Sequence, residues 1–398
     1  MRCKVSGKSF EPFMSFGKMP MANGFIEKKD FKNEFFYKLE VGFCEHNYLF
    51  QVNDHPKSQK IFNNKYPFYT GMSEFMKHHF KNYFLWAKKN YLKANSKIIE
   101  IGSNDGTFLN NFKKENFEHY GFEPAKNVAK VSKKLNLKII NDFFNYKNAK
   151  KLIKFRSNTD LICAANVISH IPNLNDLIMG VELLLSKNGI FVFEEPYLGS
   201  MFKKTSYDQI YDAHVFIFSL LSVQEIFKKF DLELIDAYPQ ITHGGSMRYI
   251  IGRKKIKKVS KRIRPLLQNE IFMNLNNLKS CIQFKKKCEE SKKRFKNRLL
   301  EFKEKGYKIC GYAASAKSTT LLNYNKIDTN LIDYIADTTK EKIGKFSPGM
   351  HIPIFSIDYF RKNPPDVAVL FSWNHKFEIF KKEKQFVKNG GRWIWHTQ

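Results

Sequence analysis

The sequence has no apolar run approaching the roughly 18 residues that a membrane-spanning helix needs, and its start, Met1-Arg2-Cys3-Lys4, lacks the apolar stretch of a secretory signal. These absences predict a cytoplasmic chain with no membrane span. Cysteine is scarce, with six residues at 3, 44, 163, 281, 288 and 310 and no paired framework. A disulfide scaffold is therefore excluded, and free thiols are expected. Acidic residues are also few, 38 against 68 Lys and Arg, leaving a formal charge of +30. A basic surface can attract nucleic acid, anionic lipid or phosphorylated small molecules. Here the lysines are spread along the whole chain beside abundant Asn, Ile and Phe, and no nucleic-acid motif accompanies them. Nucleic-acid binding is not expected.

What is present fits a chain of several domains. A length of 398 residues at 43% hydrophobic content allows two or three cores. Residues 1–65 read as a small N-terminal lobe with strand-like stretches such as Phe36 to Val41. Its core is small enough to need a metal or a neighbouring domain. Residues 66–255 alternate strand and helix. The strand candidates are Lys97 to Gly102, His119 to Glu123, Leu161 to Ala164 and Gly189 to Glu194, an α/β pattern that predicts a parallel, doubly wound sheet. Residues 256–305 read as one or two linking helices, with Ile271, Phe272, Leu275 and Leu278, then Phe295, Leu299, Leu300 and Phe302, at helical spacing. Residues 306–398 start a second strand-helix series with Lys308 to Tyr312, Leu331 to Ile335 and Val367 to Phe371.

The segment Glu100-Ile101-Gly102-Ser103-Asn104-Asp105-Gly106-Thr107 lies between a strand and a helix start, where glycines let the backbone turn tightly and approach a ligand. It lacks the three glycines of a dinucleotide fingerprint. It resembles instead the first motif of class I methyltransferases, E-x-G-x-x-x-G. The next strand ends in Glu123-Pro124, where a carboxylate can accept both ribose hydroxyls of an adenosyl group. Asp142 is placed near the adenine edge, and Asn166, after the fourth strand, where the methionine portion would sit. The expected cofactor is S-adenosylmethionine, held by Glu100, Gly102, Asn104, Asp105, Gly106, Glu123, Pro124, Asp142 and Asn166.

Two histidines, His170 and His214, fall on the carboxyl-end side of the sheet, where open α/β folds place their chemistry. Histidine is suited to taking a proton near neutral pH. Around them the chain resembles, nearly end to end, the sugar C-methyltransferases that act on nucleotide-linked 4-keto-deoxysugars. The resemblance is carried by Phe16 to Asn23, the Gly-rich loop, Asn166 to Leu174, Glu195-Pro196-Tyr197, Tyr211 to Ser219, His243 to Arg248, Gly311 to Lys317 and Pro348 to Ile354. It implies a zinc-binding-type N-terminal lobe, a class I methyltransferase central domain and a Rossmann-like C-terminal domain, with a sugar nucleotide bound between lobes. It also implies that His214 is the general base, assisted by Tyr211 and His170, and Tyr69, Tyr197 and His243 are expected at the substrate. The loop Gly311 to Lys317, glycine and small residues between a strand and a helix, is either a phosphate seat that includes Lys317 or a tight turn in a scaffolding domain, and Arg248, beside Gly244-Gly245-Ser246, is either a diphosphate partner or a surface residue.

The pattern breaks at two places. Relatives usually carry a glutamate before the base where this chain has Ala213, which leaves the acceptor atom open. The family's Cys-x2-Cys pairs read here as Cys3-Lys4-Val5-Ser6 and Cys44-Glu45-His46-Asn47. With too few ligands, even counting His46, a lobe without metal is expected and zinc is not. Transfer to a sugar hydroxyl or amine, and a cofactor-binding scaffold without catalysis, stand as alternatives. Monomer and dimer are equally compatible with the sequence.

Overall fold

The computed structural model describes residues 1–64 and 66–398. The expected boundary of the first lobe falls on Lys65, outside the described residues. The lobe is an antiparallel meander of β1 (Pro12–Pro20), β2 (Phe36–Cys44) and β3 (Leu49–Val52). Along β2 the period of two turns Tyr37, Leu39, Val41 and Phe43 inward.

The central strands are β4 (Lys97–Ile101), β5 (Glu118–Phe122), β6 (Ile139–Ile140), β7 (Thr159–Ala165), β8 (Leu185–Pro196), β9 (Phe216–Ile217), β10 (Leu232–Gln240) and β11 (Ser246–Arg253). All but β9 form one sheet in the order β10-β11-β8-β7-β4-β5-β6. The strands from β4 to β8 pair in parallel, and β11 is antiparallel to both β8 and β10. In β4 the pleat sends Ile99 and Ile101 into one hydrophobic cluster and Ile98 into another. A strand covered on both faces needs this unbroken apolar run, which is why Lys97 to Ile101 stood out in the sequence. The chain runs outward from β4 to β5 and β6, then returns to β7, so a crevice opens at the carboxyl ends of β4 and β7.

The short strand β9 does not join that sheet. It pairs with β3, so the central region contributes the fourth strand of the N-terminal sheet. The C-terminal sheet is all parallel: β12 (Ile309–Tyr312), β13 (Tyr334–Asp337), β14 (Ile354–Ser356), β15 (Val367–Leu370) and β16 (Arg392–Ile394), in the order β14-β13-β12-β15-β16. Its crevice lies at the ends of β12 and β15.

The stretch expected to link domains is two helices, Ile263–Phe272 and Leu278–Glu304, and both pack into the body of the protein. The buried stripe of the long helix is Cys281, Phe284, Cys288, Phe295 and Leu299, at spacings of three, four or seven. Phe284 stacks on Phe202 with ring centroids 4.4 Å apart. Glu270, fully buried, accepts the backbone N–H groups of Leu220 and Leu221, two orphan donors opening the helix Leu220–Phe227. Three residues read from the sequence as part of the apolar stripe face out: Ile271 is 51%, Phe272 84% and Leu300 40% exposed. The first helix ends at Phe272, so the periodicity that carried across residues 271–278 is broken by a turn. All six cysteines are free and buried, and no helix among the described residues is long and apolar enough to cross a membrane.

Candidate active site

A cavity of about 790 Å³ lies between the carboxyl ends of the two parallel sheets. On the central side it is lined by Ile101 and Gly102 after β4, Phe122 to Pro124 after β5, and Ala165 to Val167 after β7. On the C-terminal side it is lined by Ala313 to Lys317 after β12, Asp337 to Lys342 after β13, and Ser372 and Asn374 after β15. Two switch-point crevices therefore share one chamber.

The Gly-rich turn is shaped by backbone demands. Gly102 has φ +71°, and a Cβ there would lie 2.4 Å from Val167, whose turn forms the opposite wall. The Glu123 carboxylate accepts the N–H of Asn104 at 2.9 Å and of Ala125 at 2.8 Å, which fixes it at the cavity floor. Burial pushes its pKa up to about 7. Asn166 sits at φ +57° with its Oδ1 buried and lacking a hydrogen-bond partner, so it can serve a ligand. Pro124 and the Asn104 side of the turn complete this end.

The other residues expected at the cofactor do not line the cavity. Glu100 is buried behind the turn, where burial and the nearby Asp105 and Glu123 raise its pKa well above the carboxylate range. Asp105 uses its carboxylate on the N–H of Gly71, at 2.7 Å, and on Thr107. Gly106 packs against the helix bearing Ser132. Asp142 is exposed and accepts the N–H of Phe143, while Phe143 and Phe144 form the wall at that point.

The cavity is also lined by His170, Tyr211 and His214. His214 Nδ1 is 2.7 Å from the Gln209 carbonyl and its Nε2 is 2.7 Å from the Tyr211 hydroxyl. A carbonyl only accepts, so Nδ1 carries the proton and Nε2 presents its lone pair to Tyr211. Burial, with His170 next, holds the His214 pKa well below the usual imidazole range. His170 stacks between Phe62 and His214 at 5.7 and 5.2 Å. Burial lowers its pKa to about 4, and its Nε2 is buried without a partner. The turn carrying His170 is held by Glu195, whose Oε1 accepts the N–H of Val167 and Ile168 at 2.8 and 2.6 Å.

Of the residues expected at the substrate, Tyr69, His243 and Lys317 line the cavity. Tyr69 is held by a 2.9 Å hydrogen bond from Asn127 Nδ2. Lys317, mostly buried at the start of the helix Ala316–Asn325, donates to Asn374 Oδ1 at 3.1 Å and lies over the Trp373 ring. His243 sits at φ +52° before Gly244, where a Cβ would strike Trp373. Arg248 is a different matter. It is 5% exposed, pairs with Glu194 on the neighbouring strand and lies 3.7 Å over the Tyr83 ring. Glu194 is also bonded to His79 at 2.7 Å, so this is a satisfied buried network and Arg248 has no contact with the cavity. Tyr197 likewise points at Glu270. The sequence reading missed Tyr66 and Phe62, which line the cavity, and Asp337, which closes β13 as Glu123 follows β5.

With the seven strands of the central sheet counted in chain order from β4, their order is 3-2-1-4-5-7-6; this order with one antiparallel strand, a glycine turn after β4 and an acid after β5 define a class: this protein is an S-adenosylmethionine-dependent methyltransferase. Residues 72–237 match a methyltransferase domain model, residues 241–397 a C-methyltransferase C-terminal domain model, and residues 3–62 a model described as a zinc binding domain. The three matched segments follow one another over residues 3–397. It is similar to the C-methyltransferase NovU of Streptomyces niveus, 26% identical over 395 residues, covering 98% of this chain and 94% of that one. Among solved structures, the PH0226 protein of Pyrococcus horikoshii OT3 overlays at 14% identity with a TM-score of 0.39, covering 50% of this chain and 100% of that one. A SAM-dependent methyltransferase from Archaeoglobus fulgidus overlays at 16% identity and 0.36, covering 46% and 94%. The fold assignment rests on the strand order and not on these overlays.

Proposed function

We propose that the enzyme methylates the carbon beside the ketone of a nucleotide-linked deoxysugar, with His214 as the general base. The observation that supports this most is the chain Gln209–His214–Tyr211 in the same cavity as Glu123. When bound, S-adenosylmethionine supplies an electrophilic methyl group on a sulfonium. Glu123 accepts from the ribose hydroxyls, beside Gly102, Asn104 and Pro124, and Asn166 Oδ1 takes a donor from the amino acid portion.

A carbon beside a ketone becomes nucleophilic only on losing its proton, so the site must pair a base with a stabiliser of the enolate oxygen. Gln209 fixes the tautomer in which Nε2 is basic, and burial keeps the ring neutral. Tyr211 gives up Nε2 and turns its hydroxyl to the enolate oxygen, with His170 as the second group at that oxygen. The C–H pair becomes the new C–C bond to the methyl, the proton ends on Nε2, and the C–S pair stays on sulfur. Lys317 and His243, at the far wall, meet the diphosphate, since a helix N-terminus and a buried cation both favour an anion.

Incubation with methyl-labelled S-adenosylmethionine and a panel of nucleotide-linked keto sugars tests the reading, with the methyl position read by NMR. Label on carbon is expected. Label on oxygen or nitrogen would move the enzyme to the alternative acceptor class, and uptake of cofactor with no transfer to any sugar nucleotide would remove the substrate assignment.

A further inference from the structure

The N-terminal lobe matches a zinc binding domain model over residues 3–62, so its donor set can be tested against a tetrahedral zinc. Two turns meet in space. One runs from Cys3 to Lys8, closed by Gly7 N–H to Cys3 O at 2.8 Å and by Ser6 N–H to Cys3 Sγ at 3.4 Å. The other runs from Cys44 to Asn47 at the β2–β3 bend, closed by Asn47 N–H to Cys44 O at 3.2 Å. Each presents a residue and its third neighbour, the spacing of a zinc knuckle, yet the four side chains are two thiols, a hydroxyl and an amide. His46 is exposed and lies outside the cluster, and among the described residues no group of three or more His, Cys, Asp or Glu side chains is placed to hold a metal ion. A structural zinc wants four N or S donors, of which this set offers two, so the residues do not fit the metal.

What the four side chains do instead is bond across the gap. Asn47 Nδ2 donates to Cys3 Sγ at 3.4 Å, and Ser6 Oγ lies 3.7 Å from Cys44 Sγ. Cys3, Cys44 and Asn47 are each at most 3% exposed. Around them Gln51 ties the strand to the first turn, its Nε2 donating to Arg2 O and its Oε1 accepting from Lys4 N–H, both at 3.0 Å. Asn175 and Lys229 of the central domain donate to Val5 O inside that turn, at 3.1 and 3.4 Å. A small lobe with a thin core needs either a metal or a neighbour. Here β9 and these hydrogen bonds supply the neighbour.

We infer that Ser6 and Asn47 occupy the two ligand positions of a zinc knuckle and replace the ion with a protein-only hydrogen-bond cage, so that the lobe folds without metal and two substitutions would rebuild the site. The full chain, expressed with zinc supplied, is expected to carry less than about a tenth of a zinc per chain by elemental analysis, with a Tm unmoved by a chelator. The S6C/N47C variant is expected to bind one zinc per chain, to show the thiolate charge-transfer band with cobalt(II), and to lose Tm when chelated. Stoichiometric zinc in the unaltered chain, with a Tm that falls on chelation, would overturn the inference. So would a folded S6C/N47C variant that takes up neither metal. Should that variant fail to fold, the measurement on the unaltered chain decides alone.

Discussion

The central and C-terminal crevices are built alike and charged oppositely. In each, a buried strand leads through a tight turn to a helix, and an acid, Glu123 or Asp337, lies at or just after the end of the second strand. On the central side the acid meets only backbone N–H groups and the walls are Phe122, Phe143, Phe144 and Phe80. On the C-terminal side Asp337 faces Lys342 Nζ at 3.7 Å, and Lys317, Lys340 and Glu341 also line the chamber, so that three ammonium groups stand against two carboxylates. One frame thus offers a carboxylate and aromatic faces, which suit a sulfonium with its ribose, and the other offers ammonium groups, which suit a diphosphate. The lesson is that fold fixes where a ligand lies, and side chains at the strand ends fix its sign.

The comparison can be broken first between the crevices. His214→Ala should lower kcat by about 100-fold or more, the scale of a general base, with cofactor affinity by calorimetry unchanged. Equal turnover would take His214 out of the mechanism. Glu123→Gln should weaken S-adenosylmethionine binding by about 10- to 100-fold, the worth of charge-assisted hydrogen bonds, while leaving sugar-nucleotide binding alone. The same residue gives a pH test. Its carboxyl is raised to about 7 and must be ionised to accept two hydroxyls, so cofactor affinity should fall as pH drops through 7. That slope should vanish in the Gln variant. Lys317→Ala should raise KM for the sugar nucleotide by about tenfold, for one lost ammonium contact, with the cofactor unaffected. A matching loss of cofactor binding would show that the two crevices are not separate. Asp142→Ala, on an exposed side chain, should change cofactor affinity by no more than about twofold.

The central crevice was legible because its signals are local. A doubly covered strand, two glycines at positive φ and an acid one βαβ step later are all written in about 25 contiguous residues. Asp337 was not legible for a small reason. The strand read as Leu331 to Ile335 runs Tyr334–Asp337, and the shift moved its last residue into an apparent loop. Arg248 misled because a strand-edge arginine near glycines resembles an anion site, whereas its partner Glu194 lies 54 residues away in the chain. Asn104 and Asp105 sit in the expected turn, yet their side chains hold the Phe68 to Gly71 segment, through bonds to Phe68 O, Thr70 N and Gly71 N. Contacts of that kind have no periodicity to read.

The three residues that follow His214 belong to another sheet. Val215 O accepts from Val52 N–H at 2.9 Å, and Phe216 and Ile217 pair with Gln51 and Phe50. His214 is therefore hung from the first sixty residues as much as from the sheet that carries the Gly-rich turn. A shortened chain starting near residue 70 would keep Gly102, Glu123 and Asn166 but lose Phe62 and Tyr66 from the cavity wall together with the mount of the His214 imidazole, so turnover should fall further than cofactor binding.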